Sequence, residues 1–112
     1  MGVAMSKKPR PEIWDRLIHF LDLDKDGLRR LVMRSIVDCL EFTVGDLHQA
    51  VCRHLSVSRR VIASMIGYIC SRLGLLHVNK PSYRQPTIYV LKEQYLEMAR
   101  SALDATAQAG AG

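Results

Sequence analysis

Apolar residues recur at helical spacing in five stretches of this chain, and two short stretches read as strands. Ile13, Trp14, Leu17, Ile18 and Leu21 fall three and four apart and predict an amphipathic helix from Pro11 to about Asp22. Pro11 suits its first turn, and Glu12 and Asp15 favour its positive end. Asp24-Lys25-Asp26-Gly27 is a turn signal. A second helix is predicted from about Gly27 to Leu40. Its inward set is Leu28, Leu31, Val32, Ser35, Ile36 and Cys39, with Arg29, Arg30 and Arg34 on the other side.

Glu41-Phe42 reads as a short extended link. Thr43 is a good N-cap, and Asp46 stands three residues on, where a carboxylate meets exposed amides. A third helix is predicted from Val44 to His54, with Leu47, Val51 and Leu55 inward. Ser56-Val57-Ser58 supplies a tight turn and a second capping hydroxyl. A fourth helix then covers Ser58 to Leu73 and stops at Gly74, where a left-handed cap is easy. Leu75 to Asn79 and Thr87 to Leu91 read as strands around a Pro81–Pro86 loop. A last helix is predicted from Lys92 to about Ala105.

This order predicts a mostly α protein with a small β-hairpin. Residues 43–73 form a helix-turn-helix, residues 75–91 a wing, and further helices flank them at both ends. The whole makes a single domain over residues 11–105. Residues 1–10 are expected to be a disordered basic arm and residues 106–112 a disordered, low-complexity tail.

Thr43-Val44-Gly45-Asp46-Leu47, followed by Leu55-Ser56-Val57-Ser58-Arg59-Arg60, resembles the two helices of a winged helix-turn-helix domain. Ser71-Arg72-Leu73-Gly74-Leu75-Leu76 is similar to the phrase that ends the recognition helix and enters the wing in many regulators of that superfamily. A longer set resembles an uncharacterised archaeal family with no assigned function. It runs from Asp24-Lys25-Asp26-Gly27-Leu28-Arg29-Arg30 through Ser64-Met65-Ile66-Gly67 to Leu91-Lys92-Glu93-Gln94-Tyr95-Leu96. The first resemblance implies a DNA-binding scaffold; the second adds weight to the fold alone.

Charge sharpens this picture. The chain carries a net charge of +5. Up to Asp46 acids and bases balance, and after Lys92 acids predominate. Between Leu47 and Lys92 stand Arg53, Arg59, Arg60, Arg72, Lys80, Arg84 and Lys92, without one carboxylate. Such a segment casts a positive field over one side of the molecule and attracts polyanions. On the fourth helix, a turn of ~100° per residue puts Ser58, Ile62, Met65, Ile66, Ile69 and Leu73 on the core face. Arg60, Ala63, Ser64, Gly67, Tyr68 and Ser71 face the opposite way, flanked by Arg59 and Arg72. Small side chains let a backbone approach closely, and arginine can fork onto a guanine edge. Ser58 and the helix N-terminus suit a phosphate.

The candidate nucleic-acid-binding set is therefore Ser58, Arg59, Arg60, Ser64, Tyr68 and Arg72 on the helix, with Lys80, Tyr83 and Arg84 on the wing. Double-stranded DNA is the expected partner, with the helix in the major groove and the wing on the backbone or in the minor groove. The row Ala63, Gly67 and Ser71 would equally let another protein helix pack closely, so the alternative is an adaptor module. Trp14, Leu17, Ile18 and Leu21 in the first helix are expected to meet Tyr95, Leu96, Ala99 and Leu103 in the last, within a chain or between two in a homodimer.

Two constellations resemble metal sites and fall short. Asp22-Leu23-Asp24-Lys25-Asp26-Gly27 matches the first half of a calcium loop, but Arg29 and Met33 stand where an apolar residue and a bidentate Glu are required. His48 and Cys52 are one helical turn apart, whereas His54 projects away from them. Cys39, Cys52 and Cys70 are read as buried apolar side chains, not a disulfide scaffold. No cofactor or metal is expected. No nucleophile with its base and no phosphate-cradling glycine loop stands out, so a binding protein is expected and not an enzyme. No apolar run nears the ~20 residues that span a membrane, and the basic start lacks an apolar stretch after it. The expected compartment is the cytoplasm.

Overall fold

Three of the helices described begin where side chains supply partners for their first amides. The computed structural model describes residues 11–111; the expected basic arm, residues 1–10, lies outside them. Helix α1 spans Pro11–Asp22. After it the chain turns through Gly27, whose φ of 87° suits a residue without a β-carbon. Asp24 then caps α2 (Leu28–Cys39) from outside. Its two carboxylate oxygens accept the amides of Arg29 (2.9 Å) and Arg30 (3.2 Å), while Asp26 accepts that of Leu28 (3.1 Å). Two of the three aspartates of the calcium-like motif, Asp24 and Asp26, are thus engaged as helix caps.

Leu40 closes α2 with a φ of 66° and leads into β1 (Glu41–Phe42). Thr43 and Asp46 form the expected reciprocal cap of α3 (Val44–Cys52), each side chain accepting the other's amide at 3.1 Å. Ser58 caps α4 (Arg59–Tyr68) by accepting the Val61 amide at 3.2 Å. At Ile69–Leu73 this helix widens into a π-helical turn, where a continuous α-helix to Leu73 is predicted from sequence. The Ser71 hydroxyl donates to the Gly67 carbonyl (2.8 Å), a back-bond that loosens the helix there. Gly74, with φ 70°, ends the segment in the expected left-handed cap.

Strands β2 (Leu76–Asn79) and β3 (Ile88–Leu91) form the wing hairpin, pairing antiparallel from Leu76↔Leu91 to Asn79↔Ile88. A third strand joins them. β1, expected as a short extended link, pairs with β3 through Glu41↔Val90 and Phe42↔Tyr89, giving the sheet order β1-β3-β2. A 3-10 turn at Glu93–Tyr95 leads into α5 (Leu96–Ala111). The core of α2, β1, α3, α4, β2 and β3 is a winged helix-turn-helix, with α1 and α5 added at its ends.

One apolar core joins these elements. Leu17, Met33, Ile36, Phe42, Leu47, Ile62, Ile66, Ile69, Leu73 and Leu75 are each almost fully buried in it. The inward face expected of α4 is realised by Ile62, Ile66, Ile69 and Leu73, with Met65 half-buried and Ser58 exposed at the cap. α1 and α5 pack on each other within the chain, and Leu17, Leu21, Ala99 and Leu103 are all buried. Of the eight residues expected to meet, within a chain or between two, these four are buried inside one protomer, while Trp14, Ile18, Tyr95 and Leu96 are half-buried. The tail expected from residue 106 begins instead as ordered helix: Thr106 is 8% exposed, and α5 continues to Ala111. Its hydroxyl is held between Ala102 and Arg30, which anchors this turn.

The cysteines also differ from expectation. Cys39 and Cys52 are exposed and Cys70 is half-buried. Cys39 is the last residue of α2, where the chain leaves the helix through Leu40, and its sulfur is only partly covered. No helix among the described residues is long and apolar enough to cross a membrane.

Candidate nucleic-acid interface

Every residue in the candidate set is exposed, from Ser58 at the start of α4 to Arg84 on the wing. The structure divides them into groups with different surroundings. Arg60 lies on the outermost stripe of α4, with Ala63, Gly67 and Ser71 along the same exposed line. Arg59 leans the other way, toward the start of α3. A β-carbon placed on Gly45 would meet its guanidinium at 3.6 Å. The Arg59 cation therefore sits beside the first turn of α3, whose amides and macrodipole favour an anion. A β-carbon at Gly45 would make only ordinary van der Waals contact there, so the corner does not depend on glycine, and nothing in the sequence marks this position.

Ser58 is partly committed, since its oxygen caps α4. Its hydroxyl hydrogen remains a donor. Tyr68 turns toward α1 instead of joining the Arg60 stripe, whereas Ser64, about 40° round the helix from Arg60, lies beside it. Tyr68 stacks on Phe20 with ring centroids 5.6 Å apart, so its ring serves helix packing on one face. Arg72 lies in the π-helical turn, roughly 18 Å along the helix from Arg60 at 1.5 Å per residue. Its carbonyl accepts from Arg16 Nη1 at 3.4 Å. Reading by Arg60 and Arg72 would thus fall on well-separated parts of a ligand.

The wing tip is tied by its own hydrogen bonds. Lys80 Nζ donates to the Gln85 carbonyl (3.1 Å), the Arg84 amide to Ser82 Oγ (3.2 Å), and the Gln85 amide to the Ser82 carbonyl (3.1 Å). Tyr83 is 83% exposed, and the Arg84 guanidinium lies 6.0 Å from the centre of its ring. The tip presents an aromatic face and a cation together on a prearranged loop. Among the described residues no hydrogen bond or ion pair joins it to the α4 cations, so the two groups are separate contact points.

The ion pair found among the described residues, Arg100 with Glu97 at 3.2 Å, is on α5. Arg59, Arg60, Arg72, Lys80 and Arg84 have no carboxylate within pairing distance among the described residues.

The His48–Cys52 pair forms as its spacing allows. His48 Nε2 lies 2.8 Å from the Val57 carbonyl and 3.3 Å from Cys52 Sγ. A carbonyl only accepts, so Nε2 carries the hydrogen in that bond, and the Cys52 thiol donates to the same carbonyl at 3.5 Å. Cys52, expected to be buried, is exposed, and His48 is half-buried. Among the described residues no three His, Cys, Asp or Glu side chains gather to hold a metal ion.

Comparison with known proteins places the chain in a group without an assigned role. The model of a family described as "Protein of unknown function (DUF2551)" matches residues 17–99. An "Uncharacterized protein" of Archaeoglobus fulgidus is 33% identical over 94 residues, covering 83% of this chain and 94% of the relative. A solved structure described as "Mechanism for regulation of DNA binding of Bordetella bronchiseptica BpsR by 6-hydroxynicotinic acid" aligns with a TM-score of 0.48 and 16% identity. That alignment covers 84% of this chain and 77% of the other.

Proposed function

The chain belongs to the DUF2551 family, whose description assigns no activity, and we propose that it is a winged-helix protein that binds duplex DNA as a transcriptional regulator. The outer stripe of α4, led by Arg60, enters the major groove. Ser58 and Arg59 hold phosphates at the groove edge, and the Lys80–Arg84 wing lies on the backbone or in the minor groove.

The observation that supports this reading is the unpaired charge. Arg59, Arg60, Arg72, Lys80 and Arg84 are exposed on one acid-free segment and have no carboxylate partner among the described residues. Exposed cations without carboxylate partners cast a positive field that suits a polyanion. The outer stripe between them carries Ala63, Gly67 and Ser71, which lets a helix backbone approach base edges.

The test is fluorescence anisotropy with mixed genomic duplexes at low and moderate salt. Wild type binds, and both Arg60→Ala and Arg84→Ala weaken binding while their circular dichroism and melting stay unchanged. Equal retention of DNA by wild type and both variants would reject the assignment.

A further inference from the structure

A groove of about 260 Å³ opens where α1, α2 and α4 meet, lined by Phe20, Arg29, Val61, Ser64, Met65 and Tyr68. Its floor is a stack. Phe20 is buried under Tyr68, with rings 18° from parallel, and the Arg29 guanidinium lies 4.6 Å above the centre of the Phe20 ring. Arg29 Nη1 donates to the Phe20 carbonyl at 3.2 Å. That bond and the ring fix the guanidinium in the groove wall, while its other N–H donors meet no acceptor among the described residues. No carboxylate among them lies within pairing distance of it. The Ser64 hydroxyl, on the opposite wall, also makes no hydrogen bond to the described residues. Val61 and Tyr68 are 40% and 42% exposed, which leaves apolar surface uncovered beside an unpaired, oriented cation.

We propose that this groove binds a small aromatic carboxylate. The carboxylate takes the free fork of Arg29 and the Ser64 hydroxyl, a charge-assisted arrangement with directional geometry. The ring lies against the Tyr68 face and the Val61 and Met65 side chains, covering apolar surface that is now wet. The volume lies just below the usual range of ligand pockets, about 300–1,000 Å³, and suits one ring, not a nucleotide. This assignment stands on the groove's own geometry and does not rest on the DNA reading.

The experiment is a benzoate titration of the isotope-labelled full chain followed by amide chemical shifts. Saturable shifts are expected at Phe20, Arg29, Ser64 and Tyr68, with benzamide binding at least about tenfold more weakly for loss of the charged contact. Arg29→Ala also removes a contact to Phe20, so Ser64→Leu is the deciding variant. It fills the groove from an exposed position and should abolish the benzoate shifts while leaving the remaining spectrum folded. Absence of saturable shifts, equal shifts from inorganic phosphate (an anion on Arg29 alone), or persistence of the benzoate shifts in Ser64→Leu would each overturn the proposal.

Discussion

Arg30 on α2 donates from Nη1 to the hydroxyl of Thr106 on α5, and from Nη2 to the Leu103 carbonyl at 2.9 Å. The Thr106 hydroxyl donates in turn to the Ala102 carbonyl at 2.8 Å. One cation thus joins the first helix of the winged-helix core to the C-terminal helix, and the buried hydroxyl has both roles filled. Thr106→Val keeps the volume but removes an acceptor that a partly buried charge relies on. It should cost about 1–3 kcal/mol, and Arg30→Ala should cost a similar amount. Urea denaturation reads both; variants that match wild type within error would show that α5 docks by its apolar face alone.

Leu40 holds a φ of 66° and ψ of −39°, the one positive φ outside glycine among the described residues, and its side chain is 43% exposed. A β-carbon in this region costs roughly 1–2 kcal/mol, whereas glycine's extra freedom in the unfolded chain costs about 0.5–1 kcal/mol. Leu40→Gly should therefore melt at or above the wild-type temperature, and Leu40→Ala, which keeps the strain, below Leu40→Gly. The reverse order in thermal melts would mean that the Leu40 side chain contributes more than its exposure suggests.

Much of this fold is legible where its cause is local. The Thr43–Asp46 cap is a three-residue spacing, the inward set of α4 a periodicity, and Gly74 a single left-handed residue. What escaped sequence reading depends on distant partners. Two residues are too few to show a strand period, so β1 becomes visible only through its register with β3, where Phe42 stacks on Tyr89 at 5.8 Å. Tyr68 reads as an outward residue until Phe20 arrives from α1 to cover one face. The exposed cations of the candidate interface were all legible, because charge needs no partner to be seen. Their division into an Arg60 stripe, an Arg59–Gly45 corner and a wing tip was not.

Asp24 accepts two amides of the first turn of α2, and Asp26 accepts a third. These carboxylates act at the positive end of the helix. Asp24→Ala should destabilise the protein by about 1–2 kcal/mol, measured by chemical denaturation. Calcium should leave the melting temperature of wild type unchanged, because the same oxygens face backbone donors. A rise in melting temperature on adding calcium would show that the motif opens to bind it.

Partial burial of the Cys39 sulfur, with Asp38 and Asp46 nearby, holds its thiol above the ordinary cysteine value, and Arg53 opposes this. A raised value means less thiolate at a given pH, so Cys39 should alkylate more slowly at neutral pH than an unstructured cysteine peptide. Its rate should reach half-maximum at a higher pH than the peptide's. Asp38→Asn should move that midpoint down and Arg53→Ala should move it up. Iodoacetamide labelling across a pH series, read by mass spectrometry at Cys39, checks both directions; a midpoint at or below the peptide's would contradict the cause given.

The α4 stripe and the wing tip should be separable by salt. If Lys80 and Arg84 hold phosphates, removing either releases about one counterion fewer on binding. The slope of log affinity against log salt then flattens by roughly 0.9 for each cation lost. The loss should be nearly uniform across DNA sequences, since phosphates carry no sequence information directly. Arg60 stands on the stripe with Ala63, Gly67 and Ser71, where side chains can reach base edges. Arg60→Ala should instead lower discrimination between a selected and a scrambled duplex, by about 1–3 kcal/mol if its fork meets a guanine. Arg72, far along α4 in the π-helical turn, should affect neither quantity as strongly. Anisotropy titrations at four salt concentrations on both duplexes give slope and discrimination together. Identical slopes for wild type and the wing variants would remove the wing from the interface, even if Arg60 keeps its place there.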